Sequence, residues 1–350
     1  MTAVQGRAPD AAPVAGAQRP RLGFLGTGWI GRHRMEAIAA AGDARVAAVS
    51  DPSPEAARAA ADAVGGDALV TDSLDALLAL GLDGVVIATP SALHADQAVR
   101  ALEAGAAVFC QKPLARTAAE TRRVVYAARA ADRLLGVDFS YRHTAGMRAV
   151  RDLVQGGGIG RVYAADLTFH NAYGPDKPWF YDPALAGGGC VIDLGIHLVD
   201  LALWTLGWPA VAGASARLFA KGRPLGAGAV EDYALATLDL VGDGGPVAVR
   251  LACSWHLSAG QDAVIEAAFY GDAGGAAFRN VGGSFYDFEA LRFRGTAREP
   301  LAPAGQGGSE AWGGRAAAAW AARLARSRAF DPEVERVVEV AGALDRIYGR

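Results

Sequence analysis

The sequence predicts an α/β Rossmann domain, a doubly wound parallel sheet, followed by an α+β domain with a large, mainly antiparallel open sheet. Three observations predict it. A short apolar run opens onto a glycine turn and a helix, and the next apolar run ends in an acid. Up to Val137, short apolar runs alternate with Ala-rich helical segments, the pattern of βα units. Beyond about Phe139 the runs lengthen and hairpin turns punctuate them. The boundaries that follow are a disordered tail over 1–20, a dinucleotide-binding domain over 21–138, and a substrate-binding and oligomerisation domain over 139–350 whose C-terminal helix can pack back on the first.

Arg21–Leu25 reads as the first strand, Gly26-Thr27-Gly28-Trp29-Ile30-Gly31 as the turn, and the stretch through Met35, Ile38 and Ala41 as a helix. In that order G-x-G-x-x-G acquires meaning. Gly26 permits the tight turn, Gly28 lets the backbone approach a pyrophosphate, and Gly31 permits close helix packing. The helix N-terminus offers unpaired N–H groups to phosphates. Val46–Ser50 is the second strand and ends in Asp51, twenty residues past Gly31. An acid there binds adenosine ribose hydroxyls and repels a 2′-phosphate, which favours NAD. Glycines alone weigh little in a chain with 45 of them; the ordered set weighs much more.

Pro54–Val64 and Ser73–Leu80 follow as helices, Gly84–Ala88 as a buried strand, Ser91–Ala104 as a helix, Ala107–Cys110 as a strand, Ala118–Ala131 as a helix and Leu134–Val137 as a strand. In the second domain, Arg161–Asn171, Ala214–Ala220, Tyr233–Leu240, Val247–Trp255 and Ala263–Tyr270 are strand-like, with turns at 243–245 and 272–275. Ala234–Leu238 and Val247–Ala252 carry more apolar residues than a half-solvated sheet requires, which suggests a homo-oligomer formed through this sheet. Pro332–Tyr348 is a C-terminal helix. Residues 299–314 are rich in Gly, Pro and Ala and read as a mobile loop, the sharper alternative being a lid in which Trp312 contacts substrate.

Composition limits the partners. Half of the 350 residues are hydrophobic and 20% are charged, as in a soluble globular protein of two domains. A formal charge of −3 argues against nucleic acid or an anionic membrane as the main partner. The three cysteines suggest buried thiols in a reducing compartment. The first twenty residues lack a basic start with an apolar core, and no apolar run reaches membrane length, so a cytoplasmic protein is expected.

The stretch Gly187–Asp200 sets a glycine turn against a helix. Asp193, His197 and Asp200 are spaced four and three apart, so a regular helix projects all three from one face, with Leu194, Leu198 and Leu201 on an adjoining one. The plain alternative is a first-turn acid favourable to the helix dipole and a satisfied core histidine. No metal is expected, because the donors lack a second histidine or a cysteine. Between the domains lies Cys110-Gln111-Lys112-Pro113, directly after a strand whose end faces the ligand crevice. A residue before proline is held extended, so the backbone aims Lys112. A lone lysine in a turn is ordinarily just solvated; here its position raises its standing.

With these motifs in order, the chain from Arg21 onward resembles the Gfo/Idh/MocA oxidoreductases, a family that includes inositol 2-dehydrogenase and glucose–fructose oxidoreductase. Gly26–Gly31 matches the dinucleotide turn, and Thr89-Pro90-Ser91 with His94 matches T-P-N-x-x-H. Gln111-Lys112-Pro113 matches E-K-P, and Asp193 with His197 matches D-x-x-x-H. The resemblance implies Lys112, Asp193 and His197 as catalytic residues. It implies cofactor contacts along Gly26, Thr27, Gly28, Trp29, Ile30 and Gly31, at Asp51, at Thr89, Pro90, Ser91 and His94, and at Gln111 and Lys112. It implies that Arg142, His170 and Asp200 hold substrate hydroxyls beside Lys112, Asp193 and His197. Two departures stand out: Gln111 replaces a glutamate, removing a charge beside Lys112, and Ser91 replaces an asparagine.

The chemistry fits the residues independently. An alcohol hydroxyl is about as weak an acid as water, with a pKa of about 15.7, against about 6.5 for free histidine. The gap of roughly nine units is about 12 kcal/mol, too much for a base acting alone. An ammonium in a water-poor crevice is the strongest side chain for stabilising the developing alkoxide. Lys112 is therefore assigned to the oxygen and His197 to the proton, with Asp193 orienting the reacting groups and supporting the imidazolium. Which of Lys112 and His197 is the immediate proton acceptor stays open. The leading expectation is an NAD-dependent oxidoreductase acting on a secondary ring hydroxyl of a sugar, aminosugar or cyclitol, with natural-product tailoring of the aminoglycoside type as its setting. The alternatives are an NAD-dependent redox-assisted glycosidase, which would release free sugar without accumulating NADH, and a non-catalytic sugar and NAD sensor of the same fold.

Overall fold

The computed structural model describes residues 19–302 and 313–350. Strands β1 (Arg21–Leu25), β2 (Arg45–Ser50), β3 (Leu69–Thr71), β4 (Gly84–Ile87), β5 (Ala107–Cys110) and β6 (Leu135–Val137) form a six-stranded sheet in the order β3-β2-β1-β4-β5-β6. Every pairing in it is parallel. The order reverses between β1 and β4, so the turns after those strands open on one crevice. Helices α1 (Trp29–Ala41), α2 (Pro54–Ala63), α3 (Leu74–Leu78), α4 (Ser91–Glu103) and α5 (Ala118–Ala131) connect the strands. The expected elements are present, and β3 is an addition. It is three residues long and lies at the sheet edge with Leu69 and Val70 exposed, so no buried apolar run marks it.

The second sheet has nine strands in the order β15-β14-β13-β12-β7-β11-β10-β8-β9. They are β7 (Val162–Asn171), β8 (Ala210–Ala220), β9 (Arg223–Pro224), β10 (Tyr233–Gly242), β11 (Gly245–Ser254), β12 (Ala263–Gly271), β13 (Gly274–Asn280), β14 (Phe288–Arg294) and β15 (Ala297–Ala302). Only β7 and β11 pair in parallel. The helices of this half are α6 (Ala145–Gln155), α7 (Pro183–Ala186), α8 (Ile196–Thr205), α9 (Arg315–Leu324) and α10 (Arg336–Tyr348). Ala234, Ala236, Leu238 and Leu240 of β10 are buried, with Val249 and Leu251 of β11, on the face that α6 and α8 cover. The apolar excess that suggested a subunit interface therefore belongs to the face covered by helices. The open face carries Thr237, Asp239 and the Arg250–Asp166 ion pair instead.

Three expectations are corrected. Residues 299–302 belong to β15, paired with β14, and are no loop; residues 303–312, Trp312 among them, lie outside the described residues, as do residues 1–18. Helix α9, a stretch not read as a helix from the sequence and lying inside the 139–350 boundary, packs into the core of the first domain. Trp320 lies 5.6 Å from the Phe109 ring, and Ala316, Ala317 and Leu324 join Leu22, Phe24 and Met35. Finally, the helical stretch Pro183–Thr205 spans 23 residues and is apolar enough to cross a membrane by length and composition. Its most apolar window is 83% buried inside the fold, as a core helix requires. Helix α10 wedges between α5 and α8 and buries Val340, Leu344 and Ile347, tying the two sheets together.

Candidate active site

The glycine turn is built to receive a dinucleotide. Gly26 has φ +87°, and a Cβ there would meet the Ala88 carbonyl at 2.6 Å, so only glycine fits between β1 and β4. A Cβ at Gly28 would meet nothing within 4 Å, leaving open space on the side from which a pyrophosphate approaches. Gly28 is also the N-cap of α1 and supplies no side-chain cap to the first turn, the place where a phosphate is held by backbone amides. Asp51 follows β2 beside this turn. One of its carboxylate oxygens accepts from the Thr27 amide at 2.7 Å and hydroxyl at 3.1 Å, and the other from the Ser53 amide at 2.9 Å. Asp51 thus fixes the turn as well as presenting a negative charge.

His94 is 1% exposed, with its ring nitrogens 2.7 Å from the Thr89 and Pro113 carbonyls. It ties the turn after β4 to the turn after β5, so its place is behind the crevice rather than in contact with a ligand. Thr89 donates its hydroxyl to Gln97, and Ser91 begins α4 in a buried position. Trp29 stands 59% exposed at the start of α1 beside His33, with Ile30 and Gly31 following it in the helix.

Lys112 lies just past β5, in a cis peptide bond to Pro113. Its ammonium donates to the Asp193 carboxylate at 2.6 Å and to the Asp193 carbonyl at 2.7 Å, with both side chains more than four-fifths buried. The other Asp193 oxygen accepts from the Trp255 indole at 3.0 Å. Asp193 and His197 are not stacked on one regular helix. Val191–Gly195 forms a π-helical turn before α8 begins, and its longer i→i+5 closure displaces the register that 3.6-residue spacing assumes. Asp193 consequently supports the lysine, not the imidazole. His197 sits in an aromatic pocket, edge-on to Tyr141 at 5.1 Å and near Phe169, and neither ring nitrogen has a hydrogen-bond partner among the described residues.

Burial, then the Lys112 ammonium, then the Arg34 guanidinium hold the His197 imidazole well below its ordinary value. It is neutral at pH 7 and competent to accept a proton. The acid limb of kcat/KM is therefore expected below pH 6.5, and removing the Lys112 charge should move it upward. The linkage has the matching sign. The unfolded chain protonates this histidine near pH 6.5 while the folded chain does not, so this group's contribution falls as pH drops below about 6.5. A kcat/KM profile whose acid limb lies above pH 7 would contradict the assignment of His197.

Three expected substrate contacts have other partners. Arg142 and Asp200 form a bidentate pair, with Nε donating at 2.8 Å, and Asp200 is 1% exposed. The guanidinium packs over the rings of Phe139 and Trp208, both 5.0 Å away. Burial raises the Asp200 carboxyl and the arginine opposes that rise. Hydroxyl recognition by either would have to break this pair. His170 lies on the opposite sheet face from Phe169, the residue that reaches His197. It stacks on Tyr233 and shares a 2.8 Å hydrogen bond with Ser254.

Sequence reasoning missed three supports. Trp255 holds Asp193, as above. Glu231, 1% exposed, accepts from the Gly189 amide at 3.0 Å, the Val191 amide at 2.9 Å and the Tyr348 hydroxyl at 2.7 Å. Tyr348 in turn accepts from the Ile192 amide. A buried carboxylate thus caps the turn that carries Asp193, and the C-terminal helix completes it. The glycine run serves this contact: a Cβ at Gly189 would lie 2.0 Å from the Glu231 carbonyl. The available signal was the pair Glu231-Asp232 at the start of an apolar strand.

Fold and site together define an NAD-binding oxidoreductase. The family model described as "Oxidoreductase family, NAD-binding Rossmann fold" matches residues 21–139, and that of the GFO/IDH/MocA C-terminal domain matches residues 147–277. D-glucoside 3-dehydrogenase of Escherichia coli (strain K12) is 31% identical over 246 residues, 67% of this chain and 69% of that protein. The chain belongs to the Gfo/Idh/MocA family of oxidoreductases. The match to inositol 2-dehydrogenase of Rhizobium meliloti (strain 1021) is 35% over 187 residues, spanning 55% of that protein and 53% of this chain. Among solved structures, GenD2 from gentamicin A biosynthesis, in complex with NAD, has a TM-score of 0.77 at 24% identity. It covers 98% of this chain and 96% of that one, a likeness of fold.

Asp51 should make the chain prefer NAD to NADP by roughly tenfold or more, about 1.4 kcal/mol, because a 2′-phosphate would face its carboxylate. Pro52 and Ser53 bring no cation to offset that repulsion. Asp51→Ser with Pro52→Arg should reverse the preference, at some loss of total affinity because Thr27 loses its acceptor. Titration of both cofactors decides it, and equal affinity for the two would remove Asp51 from this role.

Proposed function

We propose that this chain transfers a hydride between a secondary ring hydroxyl of a sugar, aminosugar or cyclitol and NAD. The observation that carries the proposal is the Lys112 ammonium held on Asp193 at the mouth of the crevice, beside a histidine kept neutral. When bound, NAD supplies the hydride acceptor. Lys112 polarises the substrate oxygen and stabilises the alkoxide as it forms. His197, neutral and without a hydrogen-bond partner among the described residues, receives the hydroxyl proton. Asp193 and Trp255 keep the ammonium in place, a role that costs no reorganisation during the reaction.

A cavity of about 690 Å³ opens beside Trp255, lined by Phe219, Tyr233, His256, Lys221 and Asp232. Aromatic faces suit the C–H face of a sugar ring, and the charged edge suits its hydroxyl or amino substituents. The relatives named for glucosides and inositol, and the structural neighbour from gentamicin A biosynthesis, support this substrate class, with an aminoglycoside-type sugar as the narrower form. An NADH-release screen over cyclitols, hexoses, nucleotide sugars and aminoglycosides tests the proposal. NADH should accumulate with at least one ring alcohol. Free sugar released from a glycoside without net NADH would instead support the redox-assisted glycosidase.

A further inference from the structure

The glutamine in Gln111-Lys112-Pro113 has a physical reason in the structure. Its side-chain amide donates to Asp138 Oδ2 at 2.5 Å, and Arg34 Nε donates to the same oxygen at 2.6 Å. All three side chains are buried: Arg34 at 3%, Gln111 at 7% and Asp138 at 1% exposure. They join three separate elements. Arg34 comes from α1 behind the glycine turn, Gln111 from the end of β5, and Asp138 from the end of β6. We infer that Asp138 is a positioning residue carrying the one negative charge that the buried cluster of Arg34, Gln111 and Asp138 accepts, and that a neutral donor stands at 111 because of it. Asp138 pairs with Arg34, the guanidinium whose charge bears on His197, and anchors the side chain next to Lys112 in the chain.

Glutamate at 111 would place a second carboxylate within hydrogen-bond distance of Asp138. Two carboxylates that close do not both ionise, so the folded chain would retain a proton that the unfolded chain releases near pH 4.3. By linkage, Gln111→Glu should lose stability progressively as pH rises from about 5 to 8. The other groups around Asp138 leave that window clear. Burial and Asp138 hold the Cys110 thiol well above its ordinary value, and burial with Arg148 holds His143 at about 4. A steric defect at 111 would have no such pH dependence.

The test compares thermal unfolding of the full chain as wild type, Gln111→Glu, Asp138→Asn and the double variant between pH 5 and 8, with NAD titrated into each. Neither readout depends on the substrate, so this inference can fail while the proposed sugar chemistry stands, and the reverse. Asp138→Asn should lower Tm by roughly 5–15 °C at pH 7, as loss of one partner of a buried ion pair implies. Gln111→Glu should show a Tm deficit that widens with pH. The double variant, which moves the charge from 138 to 111, should recover most of the Tm and of the NAD affinity and lose the pH dependence. A Gln111→Glu curve parallel to wild type, or a double variant no more stable than the single ones, overturns the inference.

Discussion

Lys112→Met is expected to lower kcat by about 10²–10³, roughly 3–4 kcal/mol of barrier, while NAD binding stays near that of the native chain. The size follows from where the ammonium sits. It is mostly buried, it is held by both the carboxylate and the carbonyl of Asp193, and it stands at the strand end that faces the crevice. A positive charge so placed interacts weakly with a neutral hydroxyl and strongly with an alkoxide, so its loss falls on the transition state. His197→Ala should cost about 10²–10⁴ through loss of the proton acceptor. Because both groups serve one transition state, the double variant should lose less than the product of the single losses. Steady-state rates on the substrate found in the screen, with NAD affinity measured by fluorescence, separate the effects. Near-normal turnover by Lys112→Met would reduce Lys112 to one half of an ion pair.

The second large effect is structural. Glu231→Ala should destabilise the chain by roughly 2–5 kcal/mol, a fall in Tm of about 5–15 °C, because several donors lose their acceptor at once. The amides of Gly189 and Val191 and the Tyr348 hydroxyl all converge on this carboxylate, which is buried beyond the reach of bulk water. The cost is bounded above by the relief of burying a charge, since burial already pushes the Glu231 carboxyl upward. Tyr348→Phe should cost less, about 1 kcal/mol or slightly more, removing one hydroxyl from the network. Glu231→Ala should also reduce kcat, since the turn it caps carries Asp193. Calorimetry of the two variants checks the order, and an unaltered Tm for Glu231→Ala would remove the cap from this account.

These two sites differ in how far sequence revealed them. Lys112 was legible because the parallel sheet was legible: its strands are buried on both faces and read as short apolar runs, so the end of β5 could be located. The glycine turn was legible for the same reason, a strand on one side and a helix on the other. Glu231 and Trp255 were not, because what makes them matter is contact with residues roughly forty and sixty positions away. The π turn at Val191–Gly195 was invisible to a spacing argument that assumes 3.6 residues per turn, and it brings Asp193 onto Lys112, a contact the spacing did not indicate. His170 is a different case. Strand alternation puts it on the sheet face opposite Phe169, but that Phe169 is the residue reaching His197 shows only once the elements are packed. Helix α9 shows the remaining limit: nothing in an alanine-rich amphipathic segment says which of two sheets it will cover.

The central claim is that hydride leaves a ring carbon while Lys112 holds its oxygen. The most direct measurement follows deuterium from the carbinol carbon of the substrate identified by the screen into the nicotinamide. One deuterium is expected on the nicotinamide for each keto product formed, with a slowed rate for the deuterated substrate and loss of both products in Lys112→Met. Deuterium retained in a released free sugar with no net reduced nicotinamide, or keto product formed at the native rate by Lys112→Met, would contradict it.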